Sequence, residues 1–531
     1  MHRTFPSIED ICQDFFAASA EHFPIVSASD EFFYFPQVRS QKIDWSRWDT
    51  FSESAINSFA SKLTGYEDAL EVFRHQDEDP IQQDLETQID LSFLTRTITT
   101  LREQLTEVRT WEKQPTFHLT IVCLGIAEAL ESEEPSAIAA RVETLPAFID
   151  SIRYTLKNIP TLFCDLGLAM LAETKQYLMS LMPRLPGLKA SLPGLDDLEK
   201  FLRRAKTTSD FRMPGDLVEK IFRSHLNCRL DIPSIQALLD SEIHDMQSEL
   251  IKLAATIEKG LSWEAAVEKI PLPTVPEEGL VAMYRDQVMQ LAKHCLATGI
   301  LSESTLANCP VQVLPVPFFL SAIRTASSYS VQPDHPPTGG IFYVINADNP
   351  AESHKAYQRE FKILTAHETY PGHHFLDTAR LDLSRPLRRC IERPIFYEGW
   401  ACFAEKLMQL TGYLHNTQDH MLLARRRLWR AMRGKVDLGL QTGTMDFPKA
   451  IEYLMKTGIN KEDAAAVVRK YPLNPGYQLC YTLGFKRFST LFKTHGQDNL
   501  TGFVKHAVSH GEIDFEDLER KRFPPASPHL Q

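Results

Sequence analysis

The 531-residue chain lacks an apolar run long enough to span a membrane. Its most apolar windows, LTIVCLGIAEAL and VQVLPVPFFLSAI, fall well short of the ~20 residues required. The N-terminal MHRTFPSIEDICQDFFAASAEHF has acids within its first ten residues and no basic region followed by an apolar one, so no signal peptide is expected. An excess of positive charge is also missing. The formal charge is -12 and the pI near 5.9, which argues against nucleic-acid or anionic-membrane partners. Paired cysteine motifs are absent: nine cysteines are scattered with no C-x-x-C and an odd total, the usage of a reducing compartment, and a cytoplasmic protein is expected. There is no internal repeat, no low-complexity tract and little strand-like alternation.

What is present is a large apolar fraction, 43% of residues, on a chain longer than a single core usually supports. Apolar residues recur at three and four spacing through most of it, so the fold is expected to be mainly α, a large multi-helix assembly. FPIVSASDEFFYFPQ, aromatic and broken by prolines, reads as an irregular arm. MPRLPGLKASLPGLDDL (182–198), with three prolines and two glycines, reads as a hinge. The organisation drawn from these signals is an N-terminal helical lobe, 1–195, capping a cleft in a helical catalytic lobe, 196–531. GGIFYVIN (339–346) is the one clear strand, aromatic and β-branched between turn residues. As a short edge strand or small sheet beside the histidine motif it could take up an extended peptide, with Tyr343 and Val344 as the substrate-binding positions.

That motif is HETYPGHHF, His367 to Phe375. A zinc-peptidase helix reads H-E-x-x-H, so that two histidines one turn apart hold one ion and the glutamate works on its water. Here the second histidine comes late. On a regular helix His373 would face ~120° away from His367, and His374 would share its face but lie ~10.5 Å further along. The intervening residues are those that prevent a regular helix. Pro371 has no N–H for the carbonyl of His367 and disfavours helical angles at Tyr370, and Gly372 tolerates unusual ones. A π-bulge or local break would return a later histidine to the first. Either His373 or His374 could then be the second ligand.

A third ligand is available in RPIFYEGWACFAEKLMQL, a helix in which Glu398 sits among apolar and aromatic residues, where a carboxylate is costly unless paired or metal-bound. Glu405, two turns on, shares its face and either orients a ligand or meets solvent. The arginine run LLARRRLWRAMRGK (422–435) reads as a solvated face, unless one arginine turns inward to clamp a substrate carboxylate. Imidazole and carboxylate donors suit Zn2+.

The motifs HETYPGHHF, YEGWACFAE and YPLNPGYQLCYTLGF, in this order and spacing and with FYVIN ahead of them, resemble the domain-of-unknown-function family 885 from roughly residue 200 to 510. The resemblance implies a mainly helical, gluzincin-like fold and zinc-peptidase-like chemistry. His367, His373 and Glu398 match its metal ligands, Glu368 its general base, and Tyr481 a tyrosine of its C-terminal motif. His373 is preferred because the family pattern centres on Pro-Gly-His and the shorter offset needs the smaller distortion; His374 stays a candidate. Gln441 stands where many relatives have histidine. The expected activity is zinc-dependent hydrolysis of short peptides, in which Glu368 moves the proton from water to the leaving amine and Tyr481 or Tyr477 donates to the oxyanion. Two other readings are a zinc hydrolase or lyase acting on an amide-like metabolite, and a non-catalytic helical scaffold with a degenerate metal site. The expected partner is a small peptide or amide, with neither nucleic acid nor membrane.

Overall fold

The computed structural model describes residues 5–38, 43–76, 84–132, 134–308, 310–316, 327–331, 340–345 and 358–524. The chain is mainly helical, with one small sheet among the described residues, and it divides into two compact units. Unit 1 comprises residues 1–213, 316–325 and 385–392; unit 2 comprises 214–315, 326–384 and 393–531. Among the described residues no helix is long and apolar enough to cross a membrane.

The longer helices of unit 1 are α1 (Ile8–His22), α2 (Glu53–Gln76), α3 (Leu85–Glu103), α4 (Pro115–Glu131), α5 (Pro135–Thr155), α6 (Thr161–Leu181) and α7 (Leu192–Arg204). Their starts follow from sequence. Ser7 and Asp84 cap α1 and α3 by accepting from backbone N–H groups, and prolines open α4 and α5 where a missing N–H costs nothing. The 24–38 segment forms turns without a regular element, as its prolines and aromatics suggest. The 182–198 stretch is different from its sequence reading: it forms a 3-10 turn, Pro186–Ser191, running into α7. Pro186 and Pro193 fall in first turns, so they start helices and do not interrupt them, while Pro183 lies in the turn that follows α6. Residues 385–392 join this unit through Arg388, whose Nε donates to Asp90 Oδ1 at 2.6 Å.

Unit 2 contains α8 (Ile232–Ile257), α9 (Leu280–Ala297), the strands β1 (Gln312–Pro315), β2 (Ser328–Val331) and β3 (Gly340–Val344), then α10 (Phe361–Glu368), α11 (His373–Leu381), α12 (Pro394–Leu410), α13 (Thr417–Thr442), α14 (Tyr477–His495) and α15 (Leu500–Val508). The sheet order is β1-β3-β2, with β1 parallel and β2 antiparallel to β3. The strand foreseen at 339–346 is therefore not an edge strand. Tyr343 lies between Leu314 and Ser328, and Val344 pairs with Pro315. Both are buried, so neither offers a free edge to a peptide, and their expected substrate-binding role is corrected on that ground. Gly339 and Asn346 lie outside the described residues.

The core of unit 2 is the crossing of α12 and α14, where two glycines let the backbones touch. A Cβ on Gly484 would lie 2.0 Å from the Ile395 carbonyl oxygen, and one on Gly399 would lie 2.4 Å from Gly484 Cα. Around this point Trp400, Phe403, Phe488 and Phe396 pack ring against ring. The close approach sets Glu398 of α12 beside Tyr477 and Tyr481 of α14.

Candidate metal centre

The HETYPGHHF segment is two helices and a break. α10 ends at Glu368, residues 369–372 are irregular with a cis Tyr370–Pro371 peptide, and α11 begins at His373. The break is held from inside the core: Trp400 Nε1 donates to the Pro371 carbonyl at 2.9 Å. Gly372 passes so close under α10 that a Cβ there would stand 1.8 Å from the His367 carbonyl oxygen. Only glycine fits that path. The outcome is that the His367 and His373 rings, which a regular helix would turn apart, lie 4.7 Å apart and nearly perpendicular.

His367, His373 and Glu398 each present a ligand atom, all within 4.8 Å of one another, and all three residues are buried. Glu398 Oε2 is 3.5 Å from His367 Nε2 and 3.6 Å from His373 Nε2. These separations are too long for charge-assisted hydrogen bonds, which run ~2.7–2.9 Å. They match donors on a tetrahedral ion: atoms ~2.0–2.1 Å from zinc stand about 3.4 Å from each other. Oε2 is also buried with no hydrogen-bond partner among the described residues, while Oε1 accepts from the Tyr477 hydroxyl at 2.7 Å. A carboxylate with one oxygen satisfied and the other aimed between two imidazoles fits a divalent cation. Burial works against its charge, yet the two facing histidines hold Glu398 well below the usual carboxylate range.

Behind His367 stands a support built from α12 and α13. His367 Nδ1 is 3.1 Å from Glu405 Oε1 and 3.2 Å from Arg430 Nη2. One nitrogen cannot donate to the first and accept from the second. Arg430 already forms a bidentate pair with Glu405, each Nη donating at 2.7 Å, so the Nδ1–H goes to the carboxylate. Nε2 is thereby left with its lone pair toward Glu398, the tautomer a metal needs. Burial opposes the charge on Glu405, but Arg430 and Arg426 hold it far below its ordinary range. For His367, burial alone would lower its basicity; Glu398 and Glu405 raise it overall.

His373 is stacked on Tyr397 at 4.0 Å, and the Tyr397 hydroxyl donates to Asp377 at 3.1 Å. His374 is placed elsewhere: its Nδ1 lies 3.2 Å from the Tyr329 hydroxyl, with the Tyr329 and Tyr370 rings around it. Of the two candidates, the structure brings His373 to His367 and Glu398. Glu368 is buried beside them, its Oε2 accepting from the Tyr329 N–H of β2 at 2.9 Å. Because β2 pairs with β3 on its other side, that bond identifies the outer edge of β2 as the one facing Glu368. The Tyr481 ring lies 5.8 Å from that of Tyr477, and its hydroxyl interacts with Glu398 and with Tyr477. Burial and the Glu398 charge raise its pKa well above the ordinary phenol value. Gln441 is buried on α13, with both amide atoms lacking a partner among the described residues.

Sequence reading missed Arg430 and Tyr329. The arginine run is not a solvated face: Arg425 and Arg426 both donate to Glu360 at 2.9 Å, Arg427 to Glu242 at 2.8 Å, and Arg430 is buried. The signal was there in Glu398 and Glu405, seven apart on one face with Arg430 available to pair the deeper one. Tyr329 carried none, because β2 is too short to stand out.

The sequence model of a family described as "Bacterial protein of unknown function (DUF885)" matches residues 40–520. No curated protein matches the chain. Two solved structures have the same fold: a putative lipoprotein of unknown function from Shewanella oneidensis, 15% identical over 97% of this chain and 100% of that one, with TM-score 0.76, and the putative lipoprotein from Colwellia psychrerythraea, 16% identical over 97% and 98%, with TM-score 0.76. Both are described as lipoproteins, which overturns the expectation of a cytoplasmic protein. Unpaired cysteines, eight of them buried as small apolar side chains, were the basis for that expectation, and burial alone accounts for them.

Proposed function

We infer that this chain, which belongs to the DUF885 family of bacterial proteins, is a zinc-dependent hydrolase of amide bonds that acts on short peptides. The observation that carries this reading is Glu398 Oε2, buried without a partner and 3.5–3.6 Å from the Nε2 atoms of His367 and His373. Those three residues would hold the ion, which when bound would supply a Lewis acid for the scissile carbonyl and for water.

The chain's own groups divide the remaining work. Glu368 is the base: it takes a proton from water and returns it to the leaving amine, with its carboxylate aimed by the Tyr329 N–H. Tyr477 and Tyr481 supply phenols next to Glu398, where charge develops on the carbonyl oxygen. Glu405 and Arg430 fix the His367 tautomer. The outer edge of β2, beside Glu368, is the extended backbone a peptide would pair with, the role first assigned to Tyr343 and Val344.

The test is Glu368→Gln. Zinc-loaded wild-type protein should cleave members of a short-peptide pool, read by mass spectrometry. The variant should retain its zinc and lose at least a hundredfold in rate. Wild-type protein that binds zinc and cleaves no peptide would count against the substrate class; protein that binds no zinc would count against the whole reading.

A further inference from the structure

We propose that Arg433 anchors a substrate carboxylate, so that the site prefers peptides with a free carboxylate one or two residues beyond the bond cleaved. This rests on the hydrolase reading above and adds the group that reads the substrate.

Five arginines lie between 425 and 433 on α13. Four are committed to acids: Arg425 and Arg426 to Glu360, Arg427 to Glu242, and Arg430 to Glu405. Arg433 has no such partner among the described residues, and its Nε is buried without an acceptor. A solvated surface arginine would keep that N–H in water. The guanidinium instead lies over the Tyr481 ring, its Cζ 3.9 Å from the centroid.

Stacking occupies the face of a guanidinium and leaves its in-plane N–H fork free, the geometry that takes a carboxylate through two bonds. Position completes the case. Tyr481 packs beside Tyr477, whose hydroxyl donates to Glu398 of the metal cluster, and carries Arg433 over its ring. A cation one aromatic ring away from the centre is within reach of one or two extended residues, at about 3.3–3.6 Å each. Arg433 is also partly exposed, so a ligand can approach it.

The carboxylate belongs either to a chain end or to an acidic side chain, and the experiment separates these sources. Three pools of tri- to hexapeptides are offered to the zinc-loaded full chain: free C-terminal acids without Asp or Glu, C-terminal amides containing Asp or Glu, and C-terminal amides with neither. At least one carboxylate-bearing pool should be cleaved tenfold or more faster than the uncharged pool, and the pool that gains identifies the source. Arg433→Gln should bring the pools within twofold of one another, chiefly through KM, and Arg433→Lys should fall between. Circular dichroism and zinc content check that both variants fold. Equal cleavage of all pools by wild-type protein, or an equal loss on all pools in Arg433→Gln, overturns the proposal. If no pool is cleaved, the assignment of short peptides as substrates fails, and binding decides the anchor separately. Calorimetry with tetra-alanine should then give a Kd for the free acid at least tenfold below that for its amide, a difference lost in Arg433→Gln; equal Kd values overturn the proposal.

Discussion

Replacing Glu405 by glutamine keeps the shape of the side chain and removes its charge. In the folded protein this carboxylate is fully buried, holds Arg430 through two bonds of 2.7 Å, lies 3.4 Å from Arg426 Nε, and accepts the Nδ1–H of His367. The variant leaves the Arg430 guanidinium in the core without its counter-charge, a change that costs about 3–5 kcal/mol when one partner of a buried pair is removed. It also weakens the acceptor that fixes the His367 tautomer, so Nε2 must compete with Nδ1 for the proton. Loss of such a support lowers metal affinity by about 10–100-fold, equivalent to roughly 1.4–2.7 kcal/mol. Two assays separate the effects: chemical denaturation of the zinc-free protein reads the first, and competition with a fluorescent zinc chelator reads the second. Both should change in Glu405→Gln. Wild-type zinc affinity in a destabilised variant would refute the orienting role, and wild-type stability would refute the burial of the pair.

Three further outcomes follow from the geometry. Gly484→Ala puts a methyl 2.0 Å from the Ile395 carbonyl oxygen, so α12 and α14 must separate; a loss of at least about 2 kcal/mol is expected by denaturant unfolding, and zinc affinity should fall as Glu398 shifts from the histidines. Tyr477→Phe removes the donor to Glu398 Oε1 and should cost about 1.5–3 kcal/mol, the worth of a hydrogen bond to a charged group, with a reduced kcat on any peptide found to be cleaved. In unit 1, burial pushes His118 down to about 4, with its Nε2 on the Trp111 carbonyl. The folded value lies below the unfolded one near 6.5, so this contribution is present above pH 6.5 and is lost as pH falls through 4, about 3 kcal/mol in all; His118→Gln should flatten that part of the stability profile.

The sequence made the helical character, the break in HETYPGHHF and the burial of Glu398 legible for a common reason. Each is a local conflict between residue type and regular structure: Pro-Gly inside a helical run, or a carboxylate in an apolar one. The choice between His373 and His374 was not decidable from periodicity, because it depends on the path of four irregular residues held by Trp400 and by contact with the His367 carbonyl. The central position of β3 was hidden because its partners, QVLP and SYSV, are four residues each and stand next to prolines or polar runs. Pro186 and Pro193 misled for the opposite reason: a proline breaks a helix interior and begins a helix equally well, and sequence alone does not say which turn it occupies. Arg430 was hidden by its neighbours, since a run of arginines resembles a solvated face until each acid that pairs with it is placed.

The central claim is that His367, His373 and Glu398 form one metal site. The most direct measurement is zinc stoichiometry by elemental analysis after equilibrium dialysis, in wild-type protein and in the His373→Ala and His374→Ala variants. One zinc per chain is expected in wild-type and in His374→Ala, and none in His373→Ala. No bound zinc in folded wild-type protein, or loss in His374→Ala with retention in His373→Ala, would contradict the account.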